Sequence, residues 1–453
     1  LSRRLAEWVE ATFRRVTPDP FVLAILLTAA AWLAGLFATG FDLLAVVDAW
    51  RGGLWSLLAF GMQMCLVLVT GHAVASSRPM RRLLERLANE PRSPGGAAAL
   101  VAAVSMGLGL FNWGLGLVGG GLLARAVGAS CARRGIRVHY PLLAACGYAG
   151  MLVWHGGFSG SAPLKVTNRA DLVELLGPDL GARLDPVPLQ ATLLSDLNLV
   201  ATGGLWILIP LFAAWLARRD SPEQIDDVLT QPLVEVGPTI GRRPTVSDSR
   251  WVGLLLALPL AMATARYYWV HGIDRLDPNA VNLTLLTVGL VLHQTPAAYG
   301  RAVQDAVSGC AGIILQFPLY AGIMGVASGT GIASRLADWA AGASPAGFLV
   351  QTFLSAGFLN LLVPSGGGQW AVQGAVVAEA AERLGVPLGR AVMAVAYGDQ
   401  WTNMLQPFWA LPLLGITGVR AGALVGITFG FLILSGLWLA ACLYGFASFG
   451  LLG

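Results

Sequence analysis

Predominantly apolar runs of membrane-crossing length appear at about 20–40, 54–77, 197–217, 250–270, 309–328 and 421–446, with a shorter run at 279–293. About 20 such residues are what an α-helix needs to cross a hydrocarbon core of about 30 Å. Ahead of the first run, Leu5, Trp8, Val9, Thr12, Phe13 and Val16 recur at helical spacing among Arg3, Arg4, Arg14 and Arg15. That pattern predicts a helix over 1–17 lying on the membrane surface, not a signal peptide. Residues 218–250 break the apolar pattern with prolines, acids and Arg218, Arg219, Arg242, Arg243 and Arg250, which marks a solvated, cytoplasmic connector.

Two regions do not fit a simple span. Between Arg92 and Arg125 lie 32 uncharged residues. As one straight helix they would run about 48 Å, well beyond the core. Both flanks are arginine-rich, with Arg78, Arg81, Arg82 and Arg86 before and Arg133, Arg134 and Arg137 after. The chain is therefore expected to enter and return as a re-entrant hairpin with its tip near Asn112; a tilted single span is the alternative. A similar uncharged stretch, Trp339 to Ala378, is broken at Val363-Pro364-Ser365-Gly366-Gly367-Gly368-Gln369-Trp370.

The two hairpins belong to a duplication. Asp19-Pro20 recurs as Asp277-Pro278, Leu26-Leu27-Thr28 as Leu285-Leu286-Thr287, Gln63 as Gln316, Asn112 as Asn360 and Tyr148 as Tyr397, in one order and at nearly constant separation. The chain thus divides into a first repeat at 18–217, with a hairpin at about 95–127 and a broken helix at about 139–163, then the connector at 218–250. A linking transmembrane helix at 251–271 leads to a second repeat at 277–446, with a hairpin at about 346–382 and a broken helix at about 389–415. Arginine placement puts the N-terminus in the cytoplasm of a multi-pass bacterial inner-membrane protein, and the linking helix turns the second repeat over. Inverted repeats with discontinuous helices are the plan of secondary transporters, with the site near mid-membrane.

Composition narrows the class. Charged residues are 12% of the 453, AVILMFWYC are 56%, and the net charge of +4 rests on 28 arginines and one lysine, Lys165. So few charges cannot cover a water-facing surface of this size, which argues against a soluble enzyme, a disordered chain or a nucleic-acid binder. The scattered Cys65, Cys131, Cys146, Cys310 and Cys442 form no CxxC or Cys/His cluster, so no metal site, disulfide or cofactor is expected.

The candidate chemistry sits where helices break. Gly157, Phe158, Ser159, Gly160 and Ser161 interrupt the first repeat, and Tyr397 to Gln406-Pro407 is expected to interrupt the second. Broken helices at mid-depth present N-termini whose partial positive charge suits a carboxylate. The expected substrate-binding set is Asn112, Trp113, Gly114, Gly157, Ser159, Gly160, Ser161, Ser365, Gly366, Gly367, Gly368, Gln369 and Asn403, with Trp154, Trp370 and Trp401 as further apolar walls. Together these describe a site for a small amphipathic anion. Close helix packing is the competing account of the glycines, above all Gly116 to Gly120.

Asp399 is the only charge between Arg390 and Arg420. An ionised carboxylate at mid-membrane costs at least about 2.5–3.5 kcal/mol, so Asp399 must take a proton, bind a cation or find a partner. The first two couple an ion to substrate entry; a carboxylate that merely caps an unwound helix is the alternative. His155, at the matching break, is either a proton relay or a satisfied core histidine. An intramembrane aspartyl protease needs a second central carboxylate, which is missing. Gly157 to Ser161 lacks the GxSxG elbow, and no ATP-binding motif is present, so an enzyme is not expected.

At these residues the chain resembles the short-chain fatty acid transporter family, the acetoacetate and butyrate permease type. The resemblance rests on Thr17-Pro18-Asp19-Pro20, Leu58 to Met64, Val69-Thr70-Gly71-His72-Ala73, Asn112-Trp113-Gly114, Gly157 to Ser161, Val363 to Gly368 and Gln406 to Pro412. It covers nearly the whole chain and implies a scaffold plus a transport domain of the ion transporter superfamily, an elevator-type motion and a homodimer. It also points to short-chain monocarboxylates such as butyrate or acetoacetate as substrates, and Asp399 to their symport with a proton; Na⁺ coupling and a passive anion channel are the alternatives. In this family position 155 tends to be glycine and position 399 can be glutamate, so a His155 relay would be peculiar to this chain. Relatives in the superfamily hold Na⁺ through Ser-Asn-Thr tips, which this chain lacks.

Overall fold

The structure, a computed structural model, describes residues 20–218, 245–273, 276–332, 335, 344–362 and 365–448. The surface helix expected over 1–17, most of the connector, and Val363 and Pro364 lie outside the described residues. Among the described residues the regular structure is helical throughout. The first half holds α1 (Pro20–Ala38), α2 (Leu43–Gly53), α3 (Leu58–Ser76), α4 (Arg78–Leu87), α5 (Pro94–Phe111), α6 (Trp113–Arg133) and α7 (Tyr140–Tyr148). It continues through α8 (Ser161–Leu164), α9 (Arg169–Leu176) and α10 (Pro178–Arg183) to α11 (Asp196–Leu216). After α12 (Arg250–His271) come α13 (Pro278–His293), α14 (Pro296–Val307), α15 (Ala311–Gly329), α16 (Pro345–Leu362) and α17 (Gly366–Leu384). The chain closes with α18 (Leu388–Thr402), α19 (Pro407–Thr417) and α20 (Ala421–Ser448).

Local chemistry sets many of the starts. Ahead of α5, Ser93 Oγ accepts from the Gly96 N–H at 3.1 Å, and ahead of α13, Asp277 accepts from Ala280 at 2.8 Å. Both helices then carry proline in the first turn, where its missing N–H costs nothing. Among the described residues, seven segments are long and apolar enough to cross a membrane: α3, α5, α6, α11, α12, the run Pro296–Gly329 and α20. Their outer faces stay apolar, as at Leu255, 77% exposed, and Trp269, 87% exposed. The chain is a polytopic α-helical membrane protein.

Packing is reciprocal between the halves. In one direction α1 and α2 pack on α15, and in the other α13 and α14 pack on α3. Within each half the third long helix lies on the second arm of a helical pair: α3 on α6, and α15 on α17. The first arm lies on the closing helix, α5 on α11 and α16 on α20.

Two features depart from the sequence pattern. The short helices α2, α4 and α14 carry charges, among them Asp48, Arg51, Arg301 and Asp305, that hide them from a search for apolar runs. The second break is also smaller than expected, because α18 remains helical through Thr402 and only 403–405 tightens into a 3₁₀ turn. Gly398 does not unwind the helix. Its missing Cβ lets α18 lie against α16, where an added carbon would stand 2.6 Å from Ala356 Cβ and 2.8 Å from Gly357 N.

Close packing also accounts for Gly120. It faces Gly147 so tightly that a Cβ on Gly147 would stand 2.7 Å from the Gly120 carbonyl oxygen. Gly147→Ala is therefore expected to destabilise the protein by about 1–3 kcal/mol. Gly203→Ala, where a Cβ meets nothing within 4 Å, should leave stability unchanged or slightly raised. Thermal unfolding of the two purified variants checks this; equal behaviour would contradict the packing account.

Candidate functional site

The arms α5 and α6 are joined by one extended residue, Asn112, which is fully buried. Its Oδ1 accepts from the Leu115 N–H at 2.9 Å and caps α6, while its Nδ2 donates to the Val67 carbonyl of α3 at 3.1 Å. Next to it the Trp113 N–H donates to Ser159 Oγ at 2.9 Å, and the Phe158 N–H donates to the Leu110 carbonyl at 2.7 Å. The tip of the first pair is thus fastened to the break that follows α7, where the backbone passes through 3₁₀ turns at Ala149–Leu152 and Trp154–Gly156.

Ser365 does the matching work at α17, accepting from the Gly368 N–H at 3.2 Å. The N–H groups of Gly366 and Gly367, in the first turn, have no intrahelical acceptor. On the facing arm Asn360 is a hub. Its Nδ2 donates to the Asp399 carbonyl at 2.7 Å, to Thr402 Oγ1 at 3.0 Å and to Asn403 Oδ1 at 2.9 Å. Gln406 Nε2 donates to the Asn360 carbonyl. Tyr148, from the other half, donates to the Asn403 and Gln406 carbonyls at 3.1 and 3.2 Å. The two breaks are therefore bonded to each other.

His155 and Asp399 meet at this junction. His155 Nε2 lies 3.8 Å from Asp399 Oδ1, both side chains being almost wholly buried. The His155 N–H donates to Gln400 Oε1 at 3.1 Å, which fixes the backbone of the first break to α18. The edge of the His155 ring also lies against Gly366, at the N-terminus of α17. Asp399 Oδ2, both His155 ring nitrogens, Gln400 Nε2, Gln369 Oε1 and Asn360 Oδ1 are buried without a hydrogen-bond partner. Buried polar atoms are normally satisfied, so a cluster of open ones marks a place for a polar ligand or water. A carboxyl, an imidazole and a helix N-terminus together can hold an anion and pass a proton.

The expected residues divide into groups. Gly366, His155 and Asp399 come together, and Trp154 links them to the first tip through Trp113, whose ring centroid is 6.2 Å away. Ser159, Asn112, Ser365 and Asn403 hold backbone, Gln369 Nε2 donates to the Ala356 carbonyl at 2.8 Å, and Ser161 donates to Met64 Sδ at 3.4 Å. Gly114, Gly157 and Gly160 lie against Leu68, Leu110 and His155 backbone, and Gly367 and Gly368 against the Phe60 and Tyr320 rings. Trp401 turns away, stacking near Phe353 and donating to the Leu432 carbonyl at 2.8 Å. Among the described residues, no group of three or more His, Cys, Asp or Glu is placed to hold a metal ion.

Sequence reading missed Lys165. Its side chain is fully buried just past α8, with Nζ 2.5 Å from Asp171 Oδ1, 2.6 Å from Glu174 Oε2 and 3.4 Å from Gln63 Oε1. The ammonium also stands 4.7 Å from the centroid of Phe60. Gln63 in turn donates to Asn279 Oδ1 of α13 at 2.9 Å. The signal was available: the sole lysine of the chain lies just beyond the Gly157–Pro163 break.

The family model described as short chain fatty acid transporter matches residues 1–446. A candidate short-chain fatty acid transporter of Escherichia coli (strain K12) is 38% identical over 443 residues, covering 96% of this chain and 97% of its own. Its counterpart in Haemophilus influenzae is 35% identical over 429 residues, covering 93% and 95%. Among solved structures, the Alcanivorax borkumensis YdaH transporter, of unusual topology, aligns with a TM-score of 0.60 at 15% identity over 96% of this chain and 99% of that one. Neisseria gonorrhoeae MtrF, described with a class of antimetabolite efflux pumps, aligns with a TM-score of 0.61 at 15% identity over 99% and 98%. At that identity the two structures speak to the fold alone.

The Lys165 cluster yields a stability test. Removing the buried member of an ion pair costs up to about 3–5 kcal/mol, and here it would leave the half-buried Asp171 and Glu174 carboxylates without their cation. Lys165→Met should therefore lower the unfolding midpoint sharply. Arg51→Met, at a pair 75% and 72% exposed, should change it little. Thermal-shift measurement of both variants decides, and comparable shifts would contradict a structural role for the Lys165 cluster.

Proposed function

The chain belongs to the short-chain fatty acid transporter family, and we propose that it is a secondary active transporter importing short-chain monocarboxylates, such as butyrate and acetoacetate, with protons. The observation that carries this reading is the buried meeting of Asp399, His155 and the N-terminus of α17, ringed by polar atoms without partners. On this reading the carboxylate docks at the open N–H groups of Gly366 and Gly367, and Trp113 and Trp154 flank the apolar tail. Asp399 takes the coupling proton, so a site that admits an anion loses its own negative charge as it loads. His155 lies within reach to relay that proton.

The reading extends to motion and assembly. Reciprocal packing of the halves supports two inverted repeats with re-entrant pairs α5–α6 and α16–α17. We assign these pairs and the broken helices to a moving transport domain, and α1–α3 with α13–α15 to a scaffold, giving an elevator in a homodimer. The protein would sit in a bacterial inner membrane with its N-terminus in the cytoplasm.

Uptake of labelled butyrate into proteoliposomes tests this, with pH and Na⁺ gradients imposed separately and protein-free liposomes alongside. A pH gradient should drive protein-dependent accumulation, and Asp399→Asn should reduce it at least about ten-fold, the effect of losing an essential proton-transfer group. His155→Gly should keep accumulation but alter its pH profile. Accumulation driven by Na⁺ alone would overturn proton coupling, and unsaturable flux without accumulation would overturn active transport.

A further inference from the structure

Outside the site, the ends of α3, α12 and α13, with α4 and α14, surround a cavity of about 510 Å³. Arg78, Arg81, Arg82, Arg250 and Arg301 line it, from three separate stretches of chain, against a single acid, Asp305. The cavity is braced: His293, also in its wall, donates from Nε2 to the Ala73 carbonyl of α3 at 2.7 Å. Arg81 Nε is buried there without a hydrogen-bond partner. Orientation of membrane segments requires arginines near helix ends, but it does not require them to converge on one concavity, where they repel each other. Five guanidinium groups around one space suit a phosphate, whose oxygens take paired N–H donors.

What lies below the arginines argues for a lipid. Arg250 is the first residue of α12, and Leu254 and Leu258 follow it at helical spacing, 52% and 64% exposed. Val291, beside the cavity residue Leu292 on α13, is 52% exposed. A basic cavity at the ends of α12 and α13 thus stands beside exposed apolar residues of the same helices, and basic pockets between membrane helices are sites for anionic headgroups. We infer that this cavity binds the phosphate headgroup of an anionic phospholipid, with its acyl chains laid along α12 and α13. This goes beyond the transport reading and does not depend on it.

Native mass spectrometry of the full-length chain in detergent tests the inference, titrated with phosphatidylglycerol, with phosphatidylcholine and with inorganic phosphate. Phosphatidylglycerol should be retained over phosphatidylcholine. Arg81→Gln/Arg301→Gln should weaken retention about ten-fold or more. Arg133→Gln/Arg137→Gln, the same charge change outside the cavity, should leave it unchanged. The milder Arg301→Lys keeps the charge, guards against misfolding, and should still weaken retention measurably through the lost fork of donors. Equal loss in both double variants would show diffuse surface charge and overturn the site. Saturable binding of inorganic phosphate without lipid retention would overturn the lipid assignment.

Discussion

A chain that turns back inside a membrane must satisfy the backbone groups it frees, because no water is there to do so. Much of the arrangement around the breaks follows from this constraint. The turn at Asn112 is possible because one amide side chain caps α6 and bonds the backbone of α3. At the second break Asn360 bonds the Asp399 carbonyl of α18, and Gln406, from the turn after it, bonds the Asn360 carbonyl of α16. The side chains at the tips are therefore mostly committed to backbone. What stays open is smaller: a few side-chain polar atoms around His155 and Asp399, beside the first turn of α17. A site made by leftover valences is narrow in what it accepts.

The same constraint binds the halves to each other. Tyr148 from the first half holds carbonyls of the second, and Gln400 from the second holds the His155 N–H of the first. Neither break can shift alone without stranding a buried polar group, a loss of about 1–3 kcal/mol each. In the proposed elevator the hairpin-bearing elements would therefore move as one block. Lys165 lies at the border of that block and reaches Gln63 on α3, which itself bonds Asn279 of α13. A buried cation satisfied by acids of its own segment and by an amide across the border is a contact that a sliding block would have to break and remake.

How much of this could be read beforehand depended on the kind of signal. Asn112 was legible because too many uncharged residues lie between two arginine clusters for one straight span, and Asn360 because it repeats Asn112. Asp399 was legible through isolation, since a lone charge in a long apolar field stands out. Lys165 stands out as the sole lysine beside the first break, but its partners do not, because Asp171 and Glu174 sit in a stretch that hydropathy leaves unassigned and only the fold brings them to it. Helix α14 was hidden because Arg301 and Asp305 dilute its apolar face. The second break was misplaced toward Tyr397 because a glycine can signal either unwinding or close approach. At Gly398 it is approach, against Ala356 and Gly357, and that distinction lives in tertiary packing.

That distinction between positioning and function can be pressed at Asp399 itself. A carboxylate kept for structure spends its oxygens on backbone N–H groups, as Asp42 does with Ala45 at 3.0 Å and Asp277 with Ala280 at 2.8 Å. Asp399 does neither. Its backbone carbonyl is held by Asn360, and its helix is held by close packing on α16, so the residue is fixed by its main chain. Its side chain, by contrast, reaches only His155 at 3.8 Å and leaves Oδ2 without a partner. If capping were its task, the position would tolerate asparagine with little change, because the neutral amide still offers an acceptor. A group rigid in place yet unspent in charge is what ion coupling requires, since its protonation state can change without the fold having to move.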